Sequence, residues 1–198
     1  MKKSSFTCAF VGGLVINFSA VAADVSYDYV GIGYTATEVK GVAVEPSGVE
    51  LKFSKLLSDS FYFKALGDMT SANDDESTID YRYEQSTVEV GFGYKTGIFS
   101  SVDIFTDVSY LTTSNRVTTE DFKQSDSESG YSFEIGTKMA FTHDWNADLY
   151  FKRMDYESDG ISQIGVNVRY AFEKLDVIAS MASGGDQDSW GLGVQYKF

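Results

Sequence analysis

Residues 190–198 read Trp190-Gly191-Leu192-Gly193-Val194-Gln195-Tyr196-Lys197-Phe198, with an apolar or aromatic side chain at every second position. Successive side chains of an extended strand point to opposite faces, so this spacing puts Trp190, Leu192, Val194, Tyr196 and Phe198 on one face. The same period recurs upstream. Residues 163–172 set Ile164, Val166, Val168, Tyr170 and Phe172 against Gln163, Asn167 and Arg169. Residues 87–95 set Val88, Val90, Phe92 and Tyr94 against Glu89, Gly91 and Gly93. Residues 61–69 set Phe61, Phe63, Ala65 and Met69 against Tyr62, Lys64 and Asp68.

Ten such segments are predicted: 25–36, 48–57, 61–70, 86–95, 102–111, 130–140, 146–154, 163–172, 175–183 and 189–198. Their length suits a tilted strand crossing a bilayer and is long for a soluble one. Ten is also an even number, as single-chain bacterial barrels require. Eight strands remain open if 163–172 and 175–183 pair less regularly. Short connections around Asp59 and Gly97, at 141–145 and at Glu173-Lys174 alternate with longer polar ones at 37–47, 71–85, 112–129, 155–162 and 184–188. Short turns on one side and long loops on the other are the outer-membrane pattern. The predicted fold is an all-β, up-and-down antiparallel transmembrane barrel of ten strands.

The N-terminus reads as an address. Lys2 and Lys3 precede an uncharged, mostly apolar run from Phe6 to Phe18, followed by the small residues Ser19, Ala20, Ala22 and Ala23. Basic start, short apolar core and small-residue site are the order of a secretory signal peptide, predicted as residues 1–23 with the barrel over 24–198. A retained anchor is disfavoured because the apolar core is too short to span. Cys8, the only cysteine, would leave with the signal, so the mature chain has none and does not rely on disulfides.

Composition narrows the function classes. The chain of 198 residues carries 16 Lys+Arg against 29 Asp+Glu, a formal net charge of −13. Nucleic acid is an unsuitable partner, because neutralising phosphates needs clustered cations. With one Cys and one His there is no zinc site of those residues and no Cys–His dyad. No metal and no cofactor are expected, and no Gly-x-Ser-x-Gly elbow appears.

Alternation alone does not say which face meets lipid, since a soluble lipocalin-like barrel would turn the apolar set inward. The polar phase carries Glu50, Lys52, Lys64, Asp68, Glu89, Asp103, Asp107, Glu134, Lys138, Asp148, Lys152, Arg169 and Asp176. Both signs occur, as an internal network in a lumen needs. Aromatics of the apolar phase gather near strand ends (Tyr94, Tyr170, Phe172, Tyr196, Phe198), the form of an interfacial girdle. Lys55 and Arg153 fall in the apolar phase near strand ends, where long side chains snorkel. Phe105, Leu111 and Ile178 fall in the polar phase, which means either that they pack inside or that the strand edges slip there.

The terminal Phe198, in phase with Tyr196, resembles the assembly signal of Gram-negative outer-membrane barrels. Ser26-Tyr27-Asp28-Tyr29-Val30 followed by Gly33-Tyr34 resembles the start of small outer-membrane barrels of the OmpA/OmpX-like kind. The resemblance covers nearly the whole chain. It implies an outer-membrane location, delivery by the barrel-assembly machinery, and contact with outer-membrane lipid and lipopolysaccharide. It leaves the biochemical role open, because this architecture hosts porins, adhesins, enzymes and structural proteins.

Three candidate sites follow. The twelve charges Glu50 to Arg169 named above, Asp176 aside, are expected to pair in the lumen, since an unpaired charge in a narrow interior is costly. If the lumen conducts, its acidic mouths imply mild cation preference. Asp74, Asp75 and Glu76 form a possible cation-binding loop, bridging divalent ions to lipopolysaccharide phosphates, although they lack the spacing of a calcium loop. His143 beside Asp144 reads as an exposed turn residue rather than a dyad. The expected function is a small non-enzymatic outer-membrane barrel, structural or narrowly porin-like, with acidic surface loops. The alternatives are a lipid-modifying or proteolytic outer-membrane enzyme and a secreted lipocalin-like binder.

Overall fold

The computed structural model describes residues 25–39, 45–74, 81–119 and 122–198. They form ten strands: β1 (Tyr29–Val39), β2 (Ser47–Leu56), β3 (Phe61–Asp74), β4 (Tyr81–Phe99), β5 (Val102–Thr119), β6 (Lys123–Ala140), β7 (Trp145–Tyr156), β8 (Gly160–Phe172), β9 (Leu175–Gly184) and β10 (Gln187–Lys197). Each pairs antiparallel with its sequence neighbours, and β1 pairs with β10 to close the barrel. Over the span where all ten strands pair, closure leaves no sheet edge, so every ladder group there is paired without water. The open choice between eight and ten strands is settled at ten, because β8 and β9 pair from Ile164↔Ser183 down to Phe172↔Leu175 without a break.

The outward phase is apolar all the way round. Val30, Ile32, Leu51, Phe92, Val108, Phe133, Leu149, Ile164, Val177 and Leu192 are all large exposed hydrophobics. In water such a belt would be an aggregation surface, and in a bilayer it matches its solvent. A lipocalin-like barrel would show the reverse. Aromatic pairs rim the belt at both ends. Tyr34–Trp190 and Tyr110–Tyr131, each with ring centroids 5.7 Å apart, lie toward the long-loop side. Phe61–Tyr94, Phe53–Phe198 and Trp145–Tyr170–Phe172 lie toward the short turns. Lys55 sits at the turn-side rim, 3.5 Å from Asp28 and over the Phe198 ring. Arg153 sits at the other rim, 2.7 Å from Asp155.

The long connections are much shorter than their polar composition suggests. Residues 71–85 and 112–129 were expected as loops. Instead β3, β4, β5 and β6 run on through them, leaving 75–80 and 120–122 between strands. The hairpins continue in register, with Ser71↔Glu84 on one and Thr112↔Ser129, Ser114↔Ser127 and Arg116↔Ser125 on the other. Backbone pairing needs no apolar face. Above the bilayer both faces meet water, so Ser and Thr carry the ladder and the apolar alternation disappears. β4 to β6 hold 18–19 residues, against 10–11 in β1, β2, β9 and β10. At about 3.3 Å per residue the barrel has a tall wall and a low wall, differing by roughly 25 Å along the strands.

The turn side is tight. Glu173 of the two-residue β8–β9 turn takes φ 42°, and Gly185 at the opposite end of β9 takes φ 60°, where a glycine carries no Cβ penalty.

Candidate functional site: the charged lumen

All twelve sequence-derived charges fall on the inward phase of their strands, and the barrel brings most of them together. Lys64 on β3 is the hub. Its Nζ lies 2.8 Å from Asp107 on β5, 3.3 Å from Glu134 on β6 and 3.5 Å from Glu89 on β4. Glu89 is nearly inaccessible and also accepts from Lys152 Nζ on β7 at 2.5 Å and from the Ser132 hydroxyl at 2.9 Å. One cation therefore serves three carboxylates, and a second cation serves one of those three. Desolvated charges of this kind persist only when paired and hydrogen-bonded.

A second cluster lies nearer the short turns. Arg169 on β8 donates to Asp148 on β7, Lys138 Nζ stands 3.7 Å from the same carboxylate, and Asn167 donates to it at 3.4 Å. Elsewhere Lys52 pairs with Glu50 at 2.7 Å. Asp103 meets Lys95 at 3.8 Å. Asp68 has no ion pair among the described residues. It lines the wider space on the long-loop side with Thr70, Tyr83, Thr87 and Asn115. That space measures about 410 Å³, against about 240 Å³ for the cavity through the charge clusters.

Several lumen residues stand outside the sequence-derived set. Tyr27, just before β1, is only 1% exposed. Its ring lies 4.9 Å from Tyr62 and takes the ammonium groups of Lys95 and Lys138 at 4.7 and 4.6 Å from its centroid. Tyr62 donates to Asp107. A Cβ on Gly93 would meet the Tyr62 ring and Asp107, so glycine there makes room for the tyrosine to lie across the strand. Lys197 and Gln195 of β10 hold Asp176 of β9 at 2.8 and 3.2 Å. A tyrosine in an otherwise charged phase was the available signal for Tyr62. Phe105 and Leu111 are buried inside, at 3% and 1% exposure, and Ile178 lines the inner cavity.

On the long-loop side of the lumen the carboxylates Asp68 and Glu128 have no ion pair among the described residues, and neutral groups pair beside them. Tyr83 donates to Asn115 at 2.9 Å, and Thr113 meets Thr87 at 3.2 Å and Tyr156 at 3.4 Å. Among the described residues no cluster of three or more His, Cys, Asp or Glu could hold a metal. Asp75 and Glu76 lie outside the described residues, and Asp74 ends β3 without a described side chain. Residues 1–23 also lie outside them. His143 stands in the β6–β7 turn with its side chain 87% exposed and Nδ1 3.0 Å from Asp144. Tyr196 and Phe198 face outward at the β1–β10 seam, with Tyr196 opposite Val30.

A closed barrel of ten strands, apolar outside and charged within, defines an outer-membrane β-barrel protein. The chain belongs to the outer membrane protein beta-barrel domain family, which matches residues 6–198. No curated relative matches the sequence. Among solved structures it is similar to Ail, the attachment invasion locus protein of Yersinia pestis, at 14% identity over 86% of this chain and 95% of that one, with a TM-score of 0.46. It is similar to the β domain of the Bordetella autotransporter BrkA, at 14% identity over 86% and 98%, with a TM-score of 0.48. It is also similar to the NanC porin, at 7% identity over 84% and 100%, with a TM-score of 0.49.

Proposed function

We propose that this is a non-enzymatic structural barrel of a Gram-negative outer membrane, with a lumen closed by its own charges and a tall wall presented to the cell exterior. The observation that carries this reading is the network of ion pairs in which Lys64 on β3 holds Asp107, Glu134 and Glu89 and Glu89 also holds Lys152 on β7, with the separate cluster of Asp148, Arg169 and Lys138 nearer the short turns. The first network links β3 to β7 across the interior. Tyr27, packed between Lys95 and Lys138, narrows the mouth below them. A barrel of eight strands is filled by side chains, and ten leave only slightly more room. The non-enzymatic part is supported by the position of the chain's one histidine, which projects from a turn into solvent. The alternating apolar face of β10 at the closing seam supports delivery by barrel-assembly machinery.

The test is single-channel conductance of the refolded mature chain in a planar bilayer, with folding verified by heat-modifiable migration. The expected result is no steady steps. Steady steps with cation preference would overturn the closed lumen and make the protein a narrow pore.

A further inference from the structure

The tall wall distributes its charges by face. Beyond Tyr110 and Tyr131, the described residues of β4, β5 and β6 turn Arg82, Arg116 and Lys123 outward, with Glu84 the one carboxylate among them. Asp126 and Glu128 of β6 take the inward phase. An outward excess of cations is notable in a chain of net charge −13. The ladder pairs Glu84 with Arg116 directly across β4 and β5. Glu84 braces both guanidiniums, with Arg82 at 2.8 Å and Arg116 at 3.7 Å. A guanidinium has five N–H donors, so one shared carboxylate leaves most of them free for another acceptor.

These groups flank a hollow of about 410 Å³, with Met69, Ser86 and Ser114 at its lower edge and Ser71 and Ser125 beside it. Its lower edge lies one to two register steps beyond Val88 and Tyr110, where the apolar belt stops. The lateral neighbour of a surface at that height is the lipid headgroup layer. We propose that the outer face of the β4–β5 arm binds a phosphate of the outer-leaflet glycolipid, with Arg82 and Arg116 as its ligands and Glu84 holding them apart. Guanidinium is suited to this task, because its planar fork matches phosphate oxygens two at a time. Serine hydroxyls on both strands can donate to the sugar bearing that phosphate. A freely diffusing anion is the poorer fit, since it must approach against the field of the acidic chain, whereas the bilayer holds the headgroup beside the site. The inference goes beyond the function proposed above and does not depend on whether the lumen conducts.

The experiment measures the dissociation constant of lipopolysaccharide for the refolded mature barrel in zwitterionic micelles by thermophoresis. The same lipopolysaccharide after dephosphorylation and inorganic phosphate as competitor complete the set. Dephosphorylation and the double variant Arg82→Ser/Arg116→Ser are each expected to weaken binding about tenfold or more, the scale of losing one or two charge-assisted contacts. Arg82→Lys/Arg116→Lys keeps the charge, loses the fork and is expected to weaken it several-fold. Heat-modifiable migration verifies each variant, and the lysine pair serves if the serine pair does not fold. Unchanged affinity of a folded serine pair, or of the wild type for the dephosphorylated lipid, would overturn the proposal. Full displacement by millimolar inorganic phosphate would also overturn it, by making this a site for free anion. Planar-bilayer conductance reads the lumen separately, so a failure here and an open pore there are distinguishable.

Discussion

The two halves of the lumen are both polar, yet they are built from different groups. Toward the short turns the interior is held by charge: Lys64 with its three carboxylates, and Arg169 and Lys138 with Asp148. Toward the long loops the side-chain hydrogen bonds join neutral groups, Thr87 with Thr113 and Tyr83 with Asn115, and the carboxylates Asp68 and Glu128 stand there without an ion pair among the described residues. The difference follows from access to water. The lower half is ringed by the apolar belt outside and packed with the buried Tyr27 and Tyr62 inside, so each charge there needs a partner of opposite sign. The upper half opens through a wider space to solvent, and hydroxyl or amide groups exchange their partners with water at little cost.

The largest test of this contrast is Lys64→Met, which keeps the side-chain length and removes the charge. Asp107 and Glu134 then lose their ammonium partner, and Glu89 keeps Lys152 and the Ser132 hydroxyl. Removing one partner of a buried pair costs about 3–5 kcal/mol. Urea unfolding of the refolded barrel in micelles should show a loss of that order; a loss below about 1 kcal/mol would erase the distinction between the halves. A smaller loss is expected for Tyr62→Phe, which takes one neutral donor from Asp107 while Lys64 stays in place. Hydrogen bonds to charged groups are worth about 1.5–3 kcal/mol, so the same measurement should give a value in or just below that range. The smallest is Thr113→Val in the upper half. Thr113 is 4% exposed and meets two hydroxyls. Both partners can turn to water or to each other, so a loss of about 0.5–1 kcal/mol is expected. Should Thr113→Val cost as much as Lys64→Met, the upper half is as closed as the lower, and the contrast fails.

Much of this was legible from residue spacing. Period two groups side chains by face without knowing the partners, so Glu89, Asp107 and Arg169 on one face and Val90, Val108 and Val168 on the other follow from counting. The pairs themselves were not legible. Lys64 meets Asp107 and Glu134, 43 and 70 residues away, because closure and strand tilt bring β3, β5 and β6 to one level inside the barrel. The lengths of β4, β5 and β6 were also hidden. The apolar signal ends with the bilayer, while the ladder through Thr112, Thr113, Ser114 and Asn115 goes on. Their β-branched and hydroxyl content was the only trace. The outward pair Arg82 and Arg116 read as loop charge for the same reason.

The sequence by itself determined the strand phase and which side chains share a face. Those depend on alternation within a single strand, and a side chain cannot change face without a one-residue slip that exposes every charge beside it to lipid. Tertiary structure alone decided that ten strands close the ring, which charges pair, how far the tall wall rises, and that Tyr27 packs inside against Tyr62, Lys95 and Lys138. These depend on the tilt and stagger at which ten strands close on themselves, a property of the ring and of none of its strands alone.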